Sequence, residues 1–206
     1  MIPKKTILIG FYTLLTIGTI NAQKKPHLDK TKPTEERINL LMKQMTLEEK
    51  VGQMNQYNGF WEVTGPAPKG GNAELKYKHL RDGWVGSMLT VRGVKEVRAV
   101  QKIAVEETRL GIPLIIGFDL IHGYKTLSPI PLAEAASWDM EAIKKSAQVA
   151  ADEASSTGIN WTFAPMVDIS RDPRWGRIAE SLGEDTYLTS VLGAAMVKGF
   201  QGDSLS

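Results

Sequence analysis

Cysteine is absent from all 206 residues. That removes both a disulfide framework and any thiolate metal site. Histidine is scarce: His27, His79 and His122 lie far apart and lack the spacing of a metal-ligand set. A dominant charge is missing too. The formal net charge is +2, and the densest basic stretch, Lys24, Lys25, Lys30 and Lys32, is short. Nucleic-acid binding needs a basic stripe, and none is present. Long hydrophobic runs are also lacking. The apolar stretch over residues 7–20 is shorter than the ~20 residues a spanning helix requires. Lys4 and Lys5 precede that stretch, and Asn21-Ala22-Gln23 follows it with a small residue at the cleavage position. This pattern predicts a cleavable export signal over residues 1–22, with no stable membrane anchor and a mature chain that is periplasmic or secreted. Ile20 is larger than usual three residues before the cut.

What remains is ordinary for a soluble domain: 42% hydrophobic and 23% charged residues. Residues 23–33 read as a linker and 34–206 as one domain. Ile38, Leu41, Met42 and Met45 recur at helical spacing after Thr34. Thr46 and Glu49 form a capping box that opens a second helix, with Leu47, Val51 and Met54 as its expected apolar face. Residues 57–82 are rich in Gly and Pro and hold Phe60 and Trp61, so a long loop is expected there. Trp61 either stacks on a ligand or packs on the domain.

A repeating pattern follows. Residues 84–91, 114–118 and 161–167 read as strands buried on both faces. Residues 94–109, 142–156 and 185–200 read as helices. Gly111 and Gly158 stand as stops, Asp139 as an N-cap, and Glu184-Asp185 as a helix start. Apolar strands alternating with helices imply parallel strand–helix units. A doubly wound sheet would carry a glycine fingerprint after its first strand, but Arg92-Gly93-Val94-Lys95 is not one. The expected fold class is therefore α/β, as the N-terminal part of a (β/α)8 barrel with about three units present.

Barrels place ligands at strand C-termini. Two strands end there in acids, Asp119 and Asp168. Asp119 is followed by His122 and Gly123, and Asp168 by Arg171, Asp172, Arg174, Trp175 and Arg177. Carboxylates and forked guanidinium donors bind hydroxyl groups, and an aromatic ring stacks on an apolar sugar face. The same residues also suit structural roles: Arg171 and Asp172 as an ion pair with each other or with a neighbouring loop, Trp175 as packing.

Gly117-Phe-Asp-Leu-Ile-His-Gly123, Pro129-Ile-Pro-Leu-Ala-Glu-Ala-Ala-Ser-Trp138, Asn160-Trp-Thr-Phe-Ala-Pro-Met-Val-Asp168 and Arg171-Asp-Pro-Arg-Trp-Gly-Arg177, then Glu180 and Gly183-Glu-Asp185, resemble glycoside hydrolase family 3. The likeness is greatest to its periplasmic bacterial β-glucosidases and covers about residues 34–206. The resemblance implies hydrolysis of β-glucosides or short β-gluco-oligosaccharides with retention, by an Asp nucleophile and a Glu acid/base, with no metal or organic cofactor. It implies that Asp119 and Arg177 hold sugar hydroxyls. It also implies that neither reacting carboxyl lies within residues 1–206, so that the piece alone is inactive. A β-xylosidase of the same family and a non-catalytic sugar-binding remnant stay open as alternatives. The oligomeric state is not legible.

Overall fold

The computed structural model describes residues 25–59 and 70–202. The expected export signal lies outside them, as do Phe60 and Trp61. The chain divides into two compact units, residues 1–41 and 42–206.

In the first unit, Pro26–Leu28 forms a 3-10 turn. Asp29 Oδ1 then accepts hydrogen bonds from the Thr31 N–H (3.0 Å) and hydroxyl (2.7 Å). Helix α1 (Thr34–Gln44) begins where Thr34 is expected to start it, but it carries no buried residue. Of the four residues expected to form its apolar face, Met45 is buried just beyond the helix, while Ile38 and Met42 are about half exposed. Periodicity states which residues share a face, not what covers that face.

The second unit opens with α2 (Leu47–Gly52), whose capping box forms as expected: Glu49 N–H donates to Thr46 Oγ1 (3.2 Å) and Thr46 N–H to Glu49 Oε2 (2.8 Å). Its buried face is not the expected one. Leu47, Val51 and Met54 are 72%, 53% and 79% exposed, whereas Glu49 and Gly52 are buried. The cause is a close backbone approach. A Cβ on Gly52 would lie 2.4 Å from Trp84 Cα, and one on Gly86 would lie 2.1 Å from the Gln53 carbonyl oxygen. Two glycines let the helix seat directly on the chain that leads into the strand Ser87–Leu89.

Four short strands form one parallel sheet in sequence order: β1 (Gln56–Asn58), β2 (Ser87–Leu89), β3 (Ile115–Phe118) and β4 (Trp161–Thr162). β1 and the helix α3 (Gly71–Arg81) fall within the stretch expected to be a loop. The described residues therefore hold four strands where three are expected. The strands are also shorter than expected: 87–89 for 84–91, and 161–162 for 161–167. Pro165 has no N–H with which to continue the β4 ladder. After β2 comes α4 (Val94–Lys102), which runs into one π-helical turn (Ile103–Glu107). After β3 come a short helix α5 (Pro131–Ala136) and then α6 (Met140–Ser155), and after β4 comes α7 (Thr186–Gln201). Asp139 and Asp185 cap α6 and α7 by accepting from Ala142 N–H (3.0 Å) and Leu188 N–H (2.6 Å).

Register places Tyr57, Met88 and Ile116 in one rank across the sheet. They pack in the main core with Tyr77 and Leu80 of α3 and Val97 and Val100 of α4. A second core joins Ala135, Ile143, Ala147, Leu192 and Met196 of α5, α6 and α7. The strands are not buried on both faces. Asn58, Leu89, Gly117 and Trp161 form the alternate rank, and Ile115, Trp161, Phe163 and Val167 are exposed. Among the described residues, helices cover one side of the sheet only.

Candidate functional site

Side chains pin the sheet so that the ends of β3 and β4 are fixed. Gln101 of α4 holds the entry to β3 by two bonds, its Nε2 donating to the Leu114 carbonyl (2.7 Å) and its Oε1 accepting from the Leu114 N–H (2.9 Å). Asn160 Oδ1 accepts from Ile116 N–H (2.9 Å), which extends the β3–β4 ladder through a side chain. Gly117 is closely covered: a Cβ there would meet the Phe163 ring at 3.2 Å, and the Trp161 and Phe163 rings lie 4.7 Å apart by centroid.

Past Phe118 the in–out alternation continues, with Asp119 exposed and Leu120 buried. The chain then turns through Gly123, whose φ is +104° and whose Cβ, if present, would lie 2.1 Å from the Thr126 carbonyl oxygen. Only glycine fits this turn. Ser128 N–H closes it by donating to the His122 carbonyl (3.0 Å).

The second loop, residues 163–183, leaves the same end of the sheet. Asp168 is exposed near its start. Arg177 opens a 3-10 turn (Ile178–Glu180) and grips Glu180 with two parallel bonds, Nε to Oε1 (3.0 Å) and Nη2 to Oε2 (2.7 Å). The Arg177 pKa is raised, first by this hydrogen-bonded Glu180 and its charge, then by the negative charges of Asp168 and Asp119. The Glu180 carboxyl is held below its ordinary value by the same Arg177. Asp119 and Arg177, singled out from the sequence, are thus brought within electrostatic reach of each other, and Asp168 joins them.

Sequence reasoning placed Asp168 at a strand end beside Asp119 but gave Glu180 no role of its own. The spacing of Arg177 and Glu180, three residues apart in a tight turn, is the signal that could have found the pair. Arg171 and Asp172 do not pair with each other. Asp172 instead binds Arg174, its Oδ1 accepting from Arg174 N–H (2.9 Å) and Nε (3.0 Å) and its Oδ2 from Nη2 (2.5 Å). That pair holds Asp172 below its ordinary pKa and keeps Arg174 engaged inside the loop. Trp175 is partly exposed. Among the described residues no three His, Cys, Asp or Glu side chains converge as a metal site.

The result is a paired Arg177 and Glu180 at the C-terminal edge of a parallel sheet, with Asp119 and Asp168 exposed at the starts of the two loops. These groups can accept from and donate to several hydroxyl groups.

A family model described as Glycosyl hydrolase family 3 N terminal domain matches residues 46–206. The chain is 42% identical over 165 residues to a periplasmic beta-glucosidase of Salmonella typhimurium, covering 80% of this chain and 20% of that protein. It is 31% identical over 213 residues to a putative beta-xylosidase of Formosa agariphila, covering 94% of this chain and 28% of that protein. Among solved structures, a beta-glucosidase from Listeria innocua in complex with isofagomine is 44% identical, with a TM-score of 0.70 over 82% of this chain and 23% of that one. A mutant of the Listeria enzyme in complex with laminaribiose is 43% identical, with a TM-score of 0.72 over 82% of this chain and 24% of that one. This chain therefore spans between 20% and 28% of the length of these relatives.

Proposed function

The chain belongs to glycosyl hydrolase family 3, and on that premise we propose that it is the front of the barrel domain of an exported β-glucosidase. Asp119 and Arg177 hold hydroxyl groups of the terminal glucose there. The observation that carries this reading is the placement of Asp119 at the end of β3 and of Arg177, its guanidinium fixed by Glu180, in the loop that follows β4.

The chemistry follows from the charges. Cleavage of a glycosidic bond develops positive charge on the sugar ring, and hydroxyl contacts tighten as it does so. The Asp119 carboxylate accepts no hydrogen bond from the described residues and is open to a donor hydroxyl. Arg177 spends one edge of its fork on Glu180, which fixes the plane of the guanidinium and leaves the remaining donors for substrate oxygens. Neither reacting carboxyl is assigned to residues 1–206. In a retaining mechanism a nucleophilic Asp and an acid/base Glu supplied by the full-length protein would stand ~5–5.5 Å apart across the scissile bond.

The kinship with β-glucosidases of Salmonella typhimurium and Listeria innocua supports a β-glucoside or a short β-gluco-oligosaccharide as substrate, and a periplasmic or secreted location. The similarity to a putative beta-xylosidase of Formosa agariphila supports xylosides as the second reading. Proton NMR of the full-length protein acting on aryl β-glucoside and β-xyloside tests both. Faster cleavage of the glucoside, with the β-anomer of glucose appearing first, is expected. Preference for the xyloside moves the substrate, first appearance of the α-anomer removes retention, and no cleavage of either leaves the sugar-binding remnant.

A further inference from the structure

We infer that Glu153, on the outer helix α6, is a positioning residue for Asp119, acting through the loop 119–128; this rests on the role proposed above for Asp119.

Asp119 stands at the free end of a four-residue strand, and the polypeptide after it reverses direction. An exposed carboxylate on such a loop is useful only if the loop has one conformation. A catalytic contact misplaced by ~1 Å can cost about a hundredfold in rate. At the loop's start, Leu120 N–H reaches Thr162 Oγ1 only at 3.4 Å, a weak tie. The strong ties are at its far end. Glu153 Oε2 accepts from the backbone N–H groups of Lys125 (2.8 Å) and Thr126 (2.9 Å), and its Oε1 accepts from the Thr126 hydroxyl (2.7 Å). One carboxylate thus takes two adjacent backbone donors and a hydroxyl. Such charge-assisted bonds are among the stronger polar contacts.

What Glu153 grips is connected stiffly to Asp119. The Thr126 carbonyl lies against Gly123 so closely that no side chain fits between them. Gly123 bridges to Leu127, and Ser128 N–H bonds the His122 carbonyl. Tyr124 is held from two sides, by its ring against Phe118 (5.3 Å, edge-on) and by its hydroxyl near Thr157 Oγ1 (3.3 Å). Residues 121–128 therefore form one knot, Glu153 fastens that knot to α6, and Asp119 and His122 emerge from it. α6 in turn is anchored by buried Ala147, Ala150 and Ala154.

The test is a double-mutant cycle in the full-length protein, read as kcat/KM on an aryl β-glucoside alongside the melting temperature. Glu153→Ala is expected to lower kcat/KM by about tenfold or more. Thr126→Val should share part of the loss, and Glu153→Gln, which keeps an acceptor, should recover part of it. Asp119→Asn with Glu153→Ala should be little worse than Asp119→Asn alone, because Glu153 acts through Asp119. Glu49→Gln, in an ion pair elsewhere in the unit, should lower the melting temperature without lowering kcat/KM. If Asp119→Asn abolishes activity while Glu153→Ala and Thr126→Val leave it within about twofold, the inference falls and the role of Asp119 stands. Fully additive losses also overturn it. If Asp119→Asn itself changes nothing, the role of Asp119 falls and the inference with it.

Discussion

Two arginines in this chain show how one residue type serves two ends. Arg109 reaches Glu49 with two bonds, Nε to Oε1 (3.0 Å) and Nη2 to Oε2 (2.5 Å), and donates to the Gln44 carbonyl (2.7 Å) as well. Glu49 is buried and also closes the capping box of α2, so its carboxylate accepts three hydrogen bonds in all, with both oxygens engaged. This pair is structural. Arg177, by contrast, is exposed and only partly engaged, which suits a group that meets a ligand. Burial acts to raise the Glu49 pKa, but the hydrogen bonds from Arg109 and Thr46 outweigh it, and the net effect is a lowered value. A group with a lowered folded pKa stabilises the fold above its ordinary value of 4.5, and that contribution disappears as the pH falls through the folded value. Glu49→Gln in the full-length protein is expected to cost on the order of 2 kcal/mol at pH 7. The difference from wild type should shrink as the pH is taken well below 4.5. Denaturant melts at the two pH values measure it, and a gap that is unchanged in acid would contradict the pairing.

At the scale of elements, the helix seated on glycine gives a sharp expectation. Gly52→Ala must push a methyl into Trp84 backbone at 2.4 Å, where no side-chain rotation relieves it. A loss of about 1–3 kcal/mol is expected from such overpacking, measured by chemical denaturation; an unchanged midpoint would mean that α2 does not sit there. The same contact explains what could be read from the sequence and what could not. Capping signals are local, and those at Thr46, Asp139 and Asp185 were legible because the donor lies three residues from the acceptor. The strand at 115–118 was legible because it is an apolar run. β1 was not: Gln56-Tyr-Asn58 has one apolar side chain, and only its pairing with Ser87–Leu89 makes it a strand. α3 was hidden because just Tyr77 and Leu80 anchor it, among lysines that follow a glycine-rich stretch. The α2 face was misjudged because hydrophobic periodicity cannot register contact through absent side chains. In the site, Asp119 and Arg177 stood out as strand-end and loop residues, whereas the hold of Glu153 on Thr126 spans 27 residues and leaves no local trace.

The described residues of the second unit hold a four-stranded parallel sheet with helices on one side. Its other side exposes Ile115, Trp161 and Phe163. A parallel sheet is normally covered on both faces, and unpaired strand edges invite association. The isolated 206-residue chain is therefore expected to melt without a cooperative transition and to aggregate; a sharp thermal transition with dispersed amide signals would contradict that. The proposal that this chain supplies the sugar-holding contacts of a β-glucosidase is tested most directly by steady-state hydrolysis of an aryl β-glucoside. The comparison is between the full-length protein and its Asp119→Asn and Arg177→Gln variants. The account predicts turnover by the wild type and a kcat/KM lower by about a hundredfold in each variant, as for loss of a charged contact that tightens in the transition state. Variants as active as the wild type would contradict it.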